Sequence, residues 1–191
     1  MICVGITGSY ASGKSVVLHY LATLGFSTFS ADEYIKDLYQ DTKIQNKILS
    51  LLPELKIFDK RKIAELIYNN DLARSKLQNF IHPFVVRGLS IFKEHNHQKE
   101  IIFAEIPLLF EAGFDKYFDF YVTTFCSEDT RLKRAMTRES YNFSAYTKIA
   151  QIQLSQKIKV EKADFAINTD INLADVGKQI TQLIGILSCI D

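Results

Sequence analysis

Eight consecutive residues near the amino terminus, Gly8-Ser9-Tyr10-Ala11-Ser12-Gly13-Lys14-Ser15, constrain the fold of this chain more than any others. They satisfy the pattern GxxxxGK[ST], which wraps a phosphate only when a buried strand delivers the chain into it and a helix carries the chain away. Both flanks are present. Ile2-Cys3-Val4-Gly5-Ile6-Thr7 is a mostly β-branched run without a polar face, as a strand covered on both sides requires. Val17, Leu18, Leu21 and Leu24 then form a helical stripe over residues 16–24, closed by Gly25. Two glycines at this spacing, followed by Lys and Ser, arise by chance in roughly 1% of chains of this length, so the segment reads as an anion cradle. Its N–H groups turn inward where no Cβ obstructs, and the helix beginning at Val16 adds its positive end. Lys14 then neutralises β- and γ-phosphates, and the Ser15 hydroxyl enters the shell of a magnesium ion.

The rest of the chain alternates in the same way. Phe26 to Phe29, Glu100 to Ala104, Phe118 to Thr124 and Phe165 to Ile167 are aromatic or β-branched runs that read as four further strands. Between Asp32 and His97 the apolar spacing predicts helices over 33–40, 43–52, 60–69, 72–81 and 84–95, with His82-Pro83 holding the last two apart. Helices are also predicted over 130–138, 145–162 and 173–187. Strands alternating with helices imply the α/β class, with an open parallel sheet of five strands flanked by helices and joined by right-handed crossovers. The helical run after the second strand is an insertion over the carboxyl edge of that sheet, where α/β folds bind ligands.

Charge narrows the function. Twenty-three Lys+Arg against 22 Asp+Glu leave a net charge of +1, so no global field holds nucleic acid or an anionic membrane, and an anionic ligand must be gripped locally. Cys3, Cys126 and Cys189 are odd in number and unpaired in spacing, which argues against a disulfide framework or zinc site and for a reducing cytoplasm. No apolar stretch approaches the roughly 18 residues of a spanning helix, and Met1 is not followed by a basic leader. No Asp has Gly three residues later and Asn168-Thr169-Asp170 lacks a Lys, so the guanine-nucleotide switch motifs are missing. Arg131, Arg134 and Arg138 are spaced i, i+3, i+7, one helical face of arginines of the kind that meets a transferring phosphate. What remains is a small-molecule kinase.

The residues that follow resemble the dephospho-coenzyme A kinase family almost end to end. They are Gly5-Ile6-Thr7-Gly8 through Ser15, Ser30-Ala31-Asp32, Ile81-His82-Pro83, Ile106-Pro107-Leu108-Leu109-Phe110-Glu111, Arg131-Leu132-Lys133-Arg134 with Arg138, and Ala163-Asp164-Phe165-Ala166-Ile167-Asn168. The resemblance implies a sheet of P-loop kinase type with a core of about residues 1–32, 98–130 and 163–191, a helical substrate subdomain of about 33–97, and a lid of about 131–162. It implies ATP and Mg²⁺, transfer of the γ-phosphoryl group to the 3′-hydroxyl of dephospho-CoA, and a cytoplasmic monomer or weak homo-oligomer with no nucleic-acid or membrane partner.

The resemblance also distributes roles. Lys14, Asp32 and Arg138 are catalytic. Gly8 to Val16, with Arg134 and Asn168, bind ATP, and Ser15 touches the metal. Asp32, His82, Arg87, Glu105 and Leu108 face the acceptor. Taken residue by residue, Asp32 alone reads more readily as the cap of the helix from Glu33, Glu105 also as an edge carboxylate paired with Lys14 or an arginine, and His82 as structural. Ser30 and Glu105 stand where the family more often has Asp, Lys148 where it often has Arg, and Asp170 in place of a Gly. Those departures leave open another small-metabolite or nucleoside monophosphate kinase, or a nucleotide-binding protein with impaired catalysis.

Overall fold

The computed structural model describes residues 1–138 and 143–190. The buried opening run forms β1 (Ile2–Gly8), and the phosphate-loop pattern leads from it into α1 (Lys14–Thr23). β2 (Ser27–Ser30) is followed by α2 (Ala31–Leu38), α3 (Thr42–Leu51), α4 (Lys60–Asn69) and the long α5 (Asp71–His95). β3 (Ile101–Glu105), a short 3₁₀ turn (Asp115–Tyr117), β4 (Phe120–Phe125), α6 (Glu128–Met136), α7 (Phe143–Ile152), α8 (Gln156–Lys162), β5 (Phe165–Asn168) and α9 (Leu173–Leu187) complete the order.

The five strands are parallel and lie side by side as β2-β3-β1-β4-β5. β1 is therefore central, and the chain steps over β3 to reach β2 and later over β1 to reach β4. Residues alternate between two cores because successive side chains point to opposite faces. Val4, Ile6, Ile101, Phe103 and Val122 pack beneath α1 and α9, with Val17, Leu21, Ile180 and Leu187 all fully enclosed. Cys3, Ile102 and Ala104 face the other way, onto Ile48, Leu77, Ile81, Val85 and Leu89 of the helical insertion. Each fully buried aliphatic side chain contributes about 1.5–3 kcal/mol, so truncating Leu187 would loosen α9 from the sheet.

The helices begin where polar side chains satisfy their first N–H groups. Ser30, Asp41, Asp59, Asn70, Ser127, Ser155 and Asn172 cap α2, α3, α4, α5, α6, α8 and α9. α1 is different: its cap is Gly13, which has no side chain to spend on the helix end.

Three expectations change. The two helices predicted around His82-Pro83 are one, α5, with Pro83 inside it. Packing of Leu77, Ile81, Val85 and Leu89 on a single face outweighs the hydrogen bond that proline cannot make. The helix predicted over 145–162 is two, α7 and α8, because Ser155 accepts the Ile158 N–H at 3.3 Å and starts a new helix. α6 ends at Met136, so the arginine face does not run through Arg138, which follows the Thr137 cap. Glu139 to Asn142 lie outside the described residues.

Candidate active site

The loop between β1 and α1 is shaped by the ends of β4 and β5, on one side of β1. Gly8 has φ 151°, and a Cβ there would lie 2.4 Å from the Thr124 hydroxyl on β4. Gly13 has φ 94°, and a Cβ there would lie 2.9 Å from Thr169. Both positions require glycine for reasons of room as well as torsion. Ser12 and Thr124 share a hydrogen bond of 2.7 Å, and the Thr169 hydroxyl donates to the Ser12 carbonyl at 2.7 Å. Ala11 holds φ 63°, the left-handed region that costs an L-residue about 1–2 kcal/mol. The loop is thus held in shape by β4 and β5 before any ligand arrives, with the uncapped end of α1 open to an anion.

Lys14 is 8% exposed and its ammonium donates to the Gly8 and Ser9 carbonyls at 3.1 and 3.2 Å. Burial pushes it down to about 8, opposed by the carboxylates of Glu105 and Asp32. Glu105 ends β3, in register with Ile6 of β1 and Ser30 of β2, and is 3% exposed. Burial raises its carboxyl above the ordinary value, and Lys14 pulls it back only in part. No salt bridge to Lys14 forms among the described residues; Ser30 donates its hydroxyl to Glu105 at 3.5 Å and also receives the Glu33 N–H at 3.4 Å. Ser30, not Asp32, is therefore the cap of α2. Asp32 sits exposed in the first turn, lining a cleft of about 400 Å³ together with Lys14, Ser15, Glu105 and Arg138.

The arginines divide. Arg138 lies over the ring of Tyr10, 4.6 Å from its centroid, inside that cleft. Arg131 is buried at 5% exposure, donates to the Tyr10 carbonyl at 3.1 Å and pairs with Glu128 at 2.5 Å. Arg134 donates to the Thr169 hydroxyl and carbonyl at 3.0 and 2.6 Å. Arg131 and Arg134 thus brace the phosphate loop from outside instead of facing its contents. Asn168, half-buried, accepts the Asp170 N–H at 2.8 Å beside them.

Of the residues expected on the acceptor side, Leu108 and His82 line both the cleft and an adjoining polar cavity of about 710 Å³. His82 is half-buried, and burial lowers its pKa, which favours the neutral ring. Arg87 is not brought there: it is exposed on α5 and lines neither cavity, since five residues turn it about 140° round the helix from His82. Val16 likewise points to solvent from α1, at 45% exposure.

Several neighbours were not legible from motifs. Tyr68, Arg74 and Gln78 line both cavities, from α4 and α5, and Gln153, after α7, accepts the Tyr10 N–H at 2.8 Å. Lys148 of α7 donates to Asn69 of α4, joining α7 to the helices that follow β2. Their only sequence signal is position on helices that overhang the sheet edge.

A hydroxyl at Ser15, exposed and without a protein partner among the described residues, suits a magnesium ion carried in by a nucleotide. No cluster of three His, Cys, Asp or Glu able to hold a metal by itself occurs among the described residues. No helix among them is long and apolar enough to cross a membrane.

A family model described as dephospho-CoA kinase matches residues 2–175. The chain is 58% identical over 189 residues to the dephospho-CoA kinase of Rickettsia bellii, covering 99% of each. A solved dephospho-CoA kinase from Campylobacter jejuni superposes with a TM-score of 0.66 at 27% identity, covering 97% of this chain and 96% of that one. A Thermus thermophilus structure superposes with a TM-score of 0.81 at 25% identity, covering 97% of each. With its phosphate loop, sheet order and full-length match, the chain belongs to the dephospho-CoA kinase family.

Proposed function

We propose that the chain transfers the γ-phosphoryl group of ATP, bound with Mg²⁺, to the 3′-hydroxyl of dephospho-CoA, giving CoA and ADP, with Lys14, Asp32 and Arg138 as its catalytic residues. The observation that carries the residue assignment is the cleft these three share, with Asp32 left without a protein hydrogen bond among the described residues. A carboxylate so placed orients the acceptor hydroxyl and takes its proton as the phosphoryl group leaves ATP. Lys14 leaves the Gly8 and Ser9 carbonyls for the phosphate oxygens, and Arg138 leaves Tyr10 to spread the charge of the transferring group. Ser15 and water hold the metal ion that accompanies ATP.

Sheet order supports separate places for the two substrates. The phosphate loop ends the central strand, Asp32 follows β2 at one edge, and Arg134 and Asn168 stand by β5 at the other. The adenine of ATP therefore borders Arg134 and Asn168, while the acceptor enters past Glu105, Leu108 and His82. A net charge of +1 suits a protein without a nucleic-acid partner.

The test is ADP release from Mg-ATP with and without dephospho-CoA, with the product detected by mass. Acceptor-dependent ADP and a product one phosphoryl group heavier, both lost in Asp32→Asn, are expected. Lys14→Ala should lower kcat by roughly 10²–10³-fold. ATP binding without acceptor-dependent turnover would overturn the substrate, and a fully active Asp32→Asn the role of that carboxylate.

A further inference from the structure

Away from the reacting groups, the described residues hold one fully enclosed lysine. Lys159 of α8 is 0% exposed, and its ammonium lies 3.0 Å from the Glu111 carboxylate. It also donates to the Pro107 carbonyl at 2.8 Å and to the Thr7 hydroxyl at 3.3 Å. Thr7 in turn donates to Pro107 at 3.2 Å. The oxygen of Glu111 that meets Lys159 also accepts the backbone N–H of Leu154 at 2.9 Å. Three segments distant in sequence thus meet at one point: the end of β1 one residue before the phosphate loop, the turn after β3, and the link between α7 and α8.

Stability is a poor explanation for this arrangement. A buried ion pair is seldom better than apolar residues of the same volume unless every polar atom is satisfied. Here the second Glu111 oxygen is buried and has no hydrogen-bond partner among the described residues. Position accounts for it better. Leu154 is preceded by Gln153, whose side chain takes the Tyr10 N–H of the phosphate loop, and by Ile152, which lines the cleft. Fixing Leu154 sets where α7 crosses the loop.

We propose that Glu111 and Lys159 are positioning residues that pin the α7–α8 link to the end of β1, so that the lid closes over the phosphate loop in one register. The inference rests on the kinase reading for its catalytic consequence, but its structural half stands apart from it. A lid set in the wrong register admits water, which competes with the acceptor for the phosphoryl group.

The experiment compares Glu111→Gln, Lys159→Met, the double variant Glu111→Gln/Lys159→Met, and Gln153→Ala. Each single pair variant leaves one buried group uncompensated and should lose thermal stability; the double variant removes both charges and should regain it. Positioning predicts that coupling is not regained. In the double variant kcat for transfer stays roughly 10–100-fold down, ADP formed without acceptor rises as a share of the total, and the KM for ATP moves little. Gln153→Ala, at a half-buried site, should shift the same share without loss of stability. Hydrogen exchange, read on the same proteins, needs no acceptor: amides of residues 8–15 and 143–154 should exchange faster in the double variant while α9 is unchanged. If coupling and exchange return to parental values together with stability in the double variant, the pair is merely structural and the proposal fails. It also fails if Gln153→Ala leaves both unchanged. Loss of acceptor-dependent turnover in the parent, with the exchange result intact, would count against the substrate reading alone.

Discussion

Glu105 shows how a single residue trades stability against chemistry. Enclosed at the end of β3, its carboxyl titrates above the ordinary value because burial disfavours the charged form. The native state then holds that proton to a higher pH than the unfolded chain. Stability from the neutral form is complete below the unfolded pKa and is lost as pH rises through the native one. Glu105→Gln should therefore raise the unfolding free energy at pH 7 by an amount on the order of 1 kcal/mol, and the melting temperature with it, the gain fading towards pH 4, while lowering kcat. Melting curves across that range check the sign; a gain that grows on acidification would contradict it. Ser30 has a related explanation. A hydroxyl there caps α2 and donates to Glu105, a bond that a carboxylate at position 30 could not donate.

Among the elements, α5 overrode its own sequence. Pro83 lacks the N–H that would bond the carbonyl four residues back, a cost of about 3 kcal/mol in a helix interior, yet the helix continues because its apolar face is already committed to the insertion core. Pro83→Ala should restore that bond and raise stability by roughly 1–2 kcal/mol net of the freer unfolded chain, readable as a higher denaturant midpoint at unchanged slope. Because Pro83 is exposed and lines neither cavity, turnover should stay within a few-fold of the parent. A fall in midpoint would mean that the α5 backbone is strained without proline. The α7–α8 break teaches the opposite lesson. Ser155 needed no glycine or proline to end one helix and begin another, so an apolar stripe read as continuous concealed a cap.

Taken whole, the molecule is a sheet whose carboxyl edge carries the phosphate loop, with the helices after β2 on one side and α7 beside them. Lys148 to Asn69 and Gln153 to Tyr10 tie α7 and the residue after it to both. Binding of a non-hydrolysable ATP analogue and of dephospho-CoA, each near 100 times its dissociation constant, should stabilise by about 2.7 kcal/mol apiece. For a chain of this size that is roughly 5–10 °C, accompanied by slower exchange in α7. No change in α7 would argue against lid closure. The sequence by itself determined the phosphate loop, the five strands, most helix boundaries and the family, because each depends on residues within a turn or a strand of one another. Gly8, Gly13, Lys14 and Asp32 were legible for that reason. Tertiary structure alone decided that Ser30 caps α2, that Arg131 and Arg134 brace the loop while Arg138 enters the cleft, that Arg87 turns away, and that Lys159 meets Glu111. Those outcomes depend on which distant segments the sheet order brings together, and competition between burial, charge and hydrogen bonding is settled only where they meet.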